Sequence, residues 1–147
     1  MTTNTERELP SSADAAIVAR RRAIAELFVR AAIASRREEL FALATDEAHW
    51  WISGTTPVSG RYRLAQLFDG AAKLLGDRRG PFTGDIVSIT AEADRVCVEC
   101  WGHVELQSGT TYHNETHLLL RFAGERISEV REYGDTDLLA RLAASLA

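Results

Sequence analysis

Apolar and polar positions alternate along this chain in two rhythms, one helical and one sheet-like. Ile17, Ile24, Leu27, Phe28 and Ala31 recur at helical spacing, with Arg20, Arg21 and Glu26 on the other side, which predicts an amphipathic helix over 12–34 with a solvated charged face. Ser11 followed by Asp14 supplies its start, a capping box with Asp in place of Glu. Ser35 and Glu38 repeat that signal before Leu40, Phe41 and Leu43 and predict a second, short helix. The aromatic and β-branched run 47-EAHWWIS-53 favours a strand, and 54-GTTPVSG-60 punctuates it as a loop. Helical spacing returns at Leu64, Leu67, Phe68, Ala71, Leu74 and Leu75, with Gly76 as the stop.

Beyond 76-GDRRGP-81 the pattern predicts successive strands at 83–90, 95–106, 110–122 and 126–133, joined by AEAD, QSG and AGE. A final helix from Asp135 or Thr136 carries Leu138, Leu139 and Leu142 inward. Helices early and adjacent strands late describe an α+β protein, one curved antiparallel sheet wrapped around helices. Residues 1–11 read as a flexible tail and 12–147 as a single domain.

Short loops allow a register to be proposed. Placing Leu106 opposite Thr111 sets Trp101 against Thr116, His103 against Asn114 and Glu99 against Leu118. Placing Phe122 opposite Arg126 sets Leu118 against Val130 and Thr116 against Glu132. With side chains alternating between faces, one face then collects Glu99, Trp101, His103, Asn114, Thr116, Leu118, Val130 and Glu132. Large apolar members run toward one end of that set and polar members toward the other, the composition of a pocket for a small hydrophobic molecule. A slip of one residue reverses the assignment.

Within that face the candidate catalytic residues are Glu132, His103, Asn114 and Glu99. A carboxyl among Val130, Leu118 and Trp101 loses hydration, which raises its proton affinity toward general acid–base use. His103 can shuttle a proton, Asn114 can hold a carbonyl or hydroxyl without changing charge, and Glu99 is a partner carboxylate or an orienting group for His103. Trp101, Thr116, Leu118 and Val130 are expected to line the pocket around substrate, joined from the first strand by His49 and Trp51, which share one face while Trp50 and Ile52 share the other.

Composition narrows the classes. At 147 residues the chain can bury a core without metal or disulfide support. The net charge is -4, only Lys73 among the basic residues is a lysine, and 20-RRR-22 is the lone basic triplet, so no positive stripe for nucleic acid is present. No run approaches a membrane span and no apolar signal core opens the chain, which leads to the expectation of a cytoplasmic protein. Cys97 and Cys100 of CVEC point to opposite faces of a strand and are read as buried small side chains. His113 and His117 would lie about 13 Å apart along a strand, too far to share one ion, so no metal site is assigned.

The segments 48-AHWWISGTTPVSGRYRLAQLF-68 and 112-YHNETHLLLRFAGERISEVREYGDTDLL-139 resemble the SnoaL-like branch of the NTF2-like superfamily, which includes ketosteroid isomerases, polyketide cyclases, scytalone dehydratase and limonene epoxide hydrolase. The resemblance implies a cone-shaped α+β barrel, a deep apolar pocket and homodimerisation through the sheet. In the epoxide hydrolase the closing RDYFD is similar to REYGD here, with its pocket aspartate falling on Glu132. That enzyme's Arg-x-Asp pair has no counterpart in 99-ECWG-102, and the tyrosine that ketosteroid isomerases carry on the first helix is also missing. The leading expectation is a cofactor-independent isomerase, dehydratase or cyclase acting on a hydrophobic carbonyl or polycyclic compound. An epoxide hydrolase and a noncatalytic binding protein for a hydrophobic metabolite are the alternatives.

Overall fold

A computed structural model describes residues 11–146. The tail expected over 1–11 lies, apart from Ser11, outside the described residues. Helix α1 (Ser12–Ile33) opens with the capping box read from the sequence: Ser11 Oγ accepts from Asp14 N–H and the Asp14 carboxylate accepts from Ser11. Its buried side holds Ala25, Phe28, Val29 and Ala31. Helix α2 (Arg37–Ala42) follows, but Ser35 does not cap it; Ser35 takes a left-handed conformation (φ 57°) just past the end of α1, where it reverses the chain, and the cap position falls on Arg36.

Strand β1 (Ala44–Ile52) and a short strand β2 (Gly60–Arg63), which the sequence pattern did not mark between the loop ending at Gly60 and the helix beginning at Leu64, form an antiparallel pair. Helix α3 (Leu64–Leu75) begins with Gln66 Oε1 accepting from Arg63 N–H. Strands β3 (Thr83–Ala91), β4 (Arg95–Glu105), β5 (Thr111–Ala123) and β6 (Arg126–Tyr133) precede helix α4 (Thr136–Ala144), capped by Asp135. All six strands form one sheet in the order β2-β1-β6-β5-β4-β3. Every pairing is antiparallel except β1 with β6, so the sheet is mixed and has β2 and β3 at its edges. The curved sheet and its helices make an α+β architecture. The core includes Phe28 and Val29 of α1 together with Val96, Val98, Leu120, Ile127 and Val130 of the sheet. No helix among the described residues is long and apolar enough to cross a membrane.

The β4–β5 register differs by one residue from that proposed from the sequence. Glu105 rather than Leu106 lies opposite Thr111, so Gly102 pairs with Asn114 and His103 with His113. The turn sets this: Leu106 leaves the ladder to receive Gly109 N–H and to donate to Thr110 O, with Gly109 at φ 88°. Odd-numbered β4 residues therefore turn away from the helices, while Val96, Val98, Cys100 and Val104 turn inward and are buried. The β5–β6 register is displaced by two residues, with Leu118 opposite Glu132 and Leu120 opposite Val130, and a bulge after Arg121 absorbs the difference. An even displacement leaves Leu118, Val130 and Glu132 on their expected face, while beyond the bulge the offset falls to one and Ile127, expected on the opposite face, turns inward and is buried.

Candidate active site

A cavity of about 580 Å³ opens between the inner sheet face, α3 and α4. This lies within the range of roughly 300–1,000 Å³ typical of small-molecule sites. Its wall is mostly apolar, built from side chains such as Leu67, Phe68 and Leu74 of α3, Ile52 of β1 and Leu139 of α4. Trp50, Tyr62, Arg78, Tyr112 and Glu132 are among its polar groups, together with Ser35, Arg37 and Gln66 at the α1, α2 and α3 side.

Glu132 is the acidic residue of this lining. Its strand runs through the middle of the sheet, and the parallel pairing of β1 sets Ile52 opposite it. Trp50 Nε1 donates to Glu132 Oε2 at 2.7 Å. One carboxylate oxygen is thus held by the wall. Burial pushes the Glu132 carboxyl above the usual carboxylate range, and the hydrogen bond from Trp50 opposes that push without cancelling it. Trp50 itself is fixed by stacking on Phe28, with ring centres 6.2 Å apart.

Tyr112 is buried at the same wall. Burial raises its phenol well above the usual value, the nearby Glu132 charge raises it further, and the Asn114 amide acts in the opposite sense. Tyr112 therefore stays a neutral hydroxyl, a donor at ordinary pH. Its ring lies 6.1 Å from that of Phe82. Tyr62, paired with Trp50 on the neighbouring strand, donates its hydroxyl to Val58 O at 2.8 Å.

Of the residues singled out from the sequence, Asn114, Thr116, Leu118, Val130 and Glu132 share the inner face, and Glu132 alone reaches the cavity lining. Asn114 is 1% exposed, and its Oδ1 accepts from Asp135 N–H at 3.0 Å, which ties β5 to the start of α4. Its Nδ2 makes no hydrogen bond. Gly134 packs so closely there that a Cβ would come within 3.0 Å of Asn114 Oδ1 and 2.9 Å of Thr116 Cγ2. Thr116 Oγ1 contacts Cys100 Sγ at 3.2 Å, while Leu118 and Val130 are core residues.

The remaining residues sit on the outer face. The β4 slip carries Glu99, Trp101 and His103 there: Glu99 accepts from Ser88 Oγ at 3.0 Å, Trp101 stacks on His113, and His103 Nδ1 lies 3.2 Å from His113 Nδ1. His49 and Trp51 also face outward, so the other pair of β1, Trp50 and Ile52, lines the cavity. His49 lies between Arg61 and Glu129, and Arg131 covers the Trp51 ring at 3.8 Å. On this face burial pushes Glu129 up, but hydrogen bonds from Arg121 and Arg131 and the charge of His49 outweigh it and leave the carboxyl below its usual value.

Sequence reasoning missed Trp50 as the hydrogen-bond partner of Glu132 and Tyr112 as a polar group of the same cavity lining. The signal for them was present: Val96, Val98, Cys100 and Val104 form an alternating apolar set on β4, and matching it to Leu120, Leu118 and Tyr112 on β5 selects the observed register.

The family model for the SnoaL-like domain matches residues 25–130, and the chain belongs to this family. The fold is shared with Bal32a from a soil-derived mobile gene cassette, at 18% identity over 86% of this chain and 97% of that one, with a TM-score of 0.71. It is shared also with the BvnE pinacolase of Penicillium brevicompactum, at 16% identity over 98% of this chain and 94% of that one, with a TM-score of 0.73. A third similar structure is an NTF2-like protein of Burkholderia xenovorans, at 19% identity over 85% of this chain and 96% of that one, with a TM-score of 0.64. No curated protein sequence matches the chain.

Proposed function

We propose that this protein is a cofactor-independent acid–base enzyme of the isomerase, dehydratase or cyclase type, acting on a hydrophobic carbonyl compound held in the cavity. The observation that carries the reading is the Glu132 carboxylate, bound through one oxygen by Trp50 and raised in proton affinity, in an apolar wall beside the neutral hydroxyl of Tyr112.

In this mechanism Oε1 of Glu132 removes a proton from the carbon next to the carbonyl. A carboxyl raised in proton affinity is a stronger base, once ionised, than an exposed one. The Tyr112 hydroxyl donates to the oxygen as it gains charge, and the dry wall strengthens that hydrogen bond. Trp50 keeps the second carboxylate oxygen occupied, so that Glu132 presents the first in one orientation. Return of the proton at another carbon completes an isomerisation; loss of a β-hydroxyl or attack by the enolate on a second carbonyl gives dehydration or cyclisation from the same groups. The shared scaffold of a protein named as a pinacolase supports the view that this fold accommodates pocket chemistry.

The test is exchange of the α-protons of ring-bearing ketones into deuterated water, followed by NMR. The native protein is expected to accelerate exchange, and Glu132→Gln to lose about a hundredfold or more of that rate. Tight binding of the same ketones, with no exchange and no effect of Glu132→Gln, would replace the enzyme by a binding protein.

A further inference from the structure

The geometry points to a carboxylate on the ligand of this cavity, received by Arg78. The inference rests on the cavity being a small-molecule site, as proposed above, and extends it from the reacting carbonyl to a second recognition point.

Arg78 lies in the segment between α3 and β3 and lines the cavity. It is half-buried, and its backbone is pinned: it bridges to Leu106, its carbonyl accepts from Gln107 Nε2 at 3.1 Å, and Arg79 N–H donates to Glu105 O. The side chain is fixed as well. Nε donates to Leu75 O at 2.8 Å, and the guanidinium lies over the Phe82 ring, 5.7 Å from its centre. Those contacts use one N–H and the flat face. Among the described residues the two terminal nitrogens make neither a hydrogen bond nor an ion pair, so the forked edge that binds carboxylates in a bidentate manner is left open.

The rest of the lining makes this edge the place for an anion. Arg37, the other cation of the wall, is engaged by Asp69 Oδ1 at 2.8 Å. Glu132 repels an anionic group from its own vicinity, and from Arg78 the wall leads to it through Phe82 and Tyr112. A ligand with an apolar ring body, a carbonyl toward Tyr112 and a carboxylate toward Arg78 satisfies both polar sites. A single open guanidinium fork matches one planar, singly charged group, and Glu132 in the same wall disfavours a more highly charged anion such as a phosphate dianion.

Calorimetric titration of the whole protein with 2-naphthoate, 2-naphthamide and 2-naphthyl phosphate tests this. The carboxylate is expected to bind about tenfold or more tightly than the amide, the scale of a charge-assisted hydrogen bond in affinity, and more tightly than the phosphate. Arg78→Gln should abolish the preference for carboxylate over amide while amide binding is kept, and Arg78→Lys should retain part of it. If Arg78→Gln weakens both ligands equally, Arg78 only caps α3 and covers Phe82, and the inference fails. It fails too if the native protein binds carboxylate and amide alike, or the phosphate best. Glu132→Gln should leave the preference for carboxylate over amide in place, so a failed exchange experiment and a failed carboxylate preference are separate results.

Discussion

Trp50 Nε1 and Glu132 Oε2 are 2.7 Å apart, joined by a hydrogen bond between neighbouring parallel strands. This indole holds the charged form of a carboxylate that its surroundings disfavour. Trp50→Phe removes the donor and keeps most of the ring. Its expected effect is an upward move of the acidic limb of the pH–rate profile, because the remaining influence on Glu132 is burial. A loss of stability of about 1.5–3 kcal/mol accompanies it, the scale for a hydrogen bond to a charged group; urea unfolding at neutral pH measures that part.

Glu132→Gln separates stability from chemistry. With its folded value raised, Glu132 binds a proton more tightly in the folded chain than in the unfolded one. Between the two values the folded state carries more protons, so stability falls as pH rises through that window and the full cost of the buried charge applies above it. Glutamine carries no such cost. The variant should exceed the native protein in stability near neutrality, with the gap closing as pH is lowered below the unfolded value, as read from urea midpoints at several pH values. An unchanged gap across pH would contradict the burial of this charge.

Tyr112→Phe keeps the contact with Phe82 and removes the proposed oxyanion donor. Turnover should fall by about 10²-fold with KM little changed, the pattern for a group that acts chiefly in the transition state. Equal loss in KM and none in kcat would assign Tyr112 to ground-state binding.

Gly134→Ala tests the β6–α4 corner, where no side chain fits between the backbone and Asn114. Forcing Asn114 or Thr116 aside should cost about 1–3 kcal/mol and loosen the Asp135 N–H to Asn114 bond that starts α4. Thermal unfolding reads the first effect and amide exchange at Asp135 the second.

Self-association through the sheet, an expectation of the sequence, is a proposal for the outer face. Trp51, Trp101 and Leu119 are partly exposed there, and Tyr133 is 42% exposed beside Trp51. Sedimentation at several concentrations should give the mass of two chains, and Trp101→Glu should shift it toward one. A single-chain mass throughout would remove the proposal.

Helix periodicity, the Ser11 cap and the Asp135 start were legible because each depends on residues close in the chain. The faces of β4 were not, since they hang on whether Leu106 or Glu105 ends the ladder, a choice made by the geometry around Gly109. One residue there moved His103, Trp101 and Glu99 off the inner face. Glu132 stayed inside because the error on β6 was two residues, which side-chain alternation forgives. Tyr62 and Arg78 carried no periodic signal: one belongs to a four-residue strand and the other to a connection, both placed by distant partners.

Among the described residues the one parallel pairing unites the first strand with the last, and Trp50 meets Glu132 across 82 positions of sequence. During synthesis the indole waits for its acid until nearly the entire domain has emerged. Truncated or stalled chains can form helices and hairpins from local contacts, yet they lack the Trp50–Glu132 hydrogen bond, so this wall of the cavity is finished only when the fold is complete.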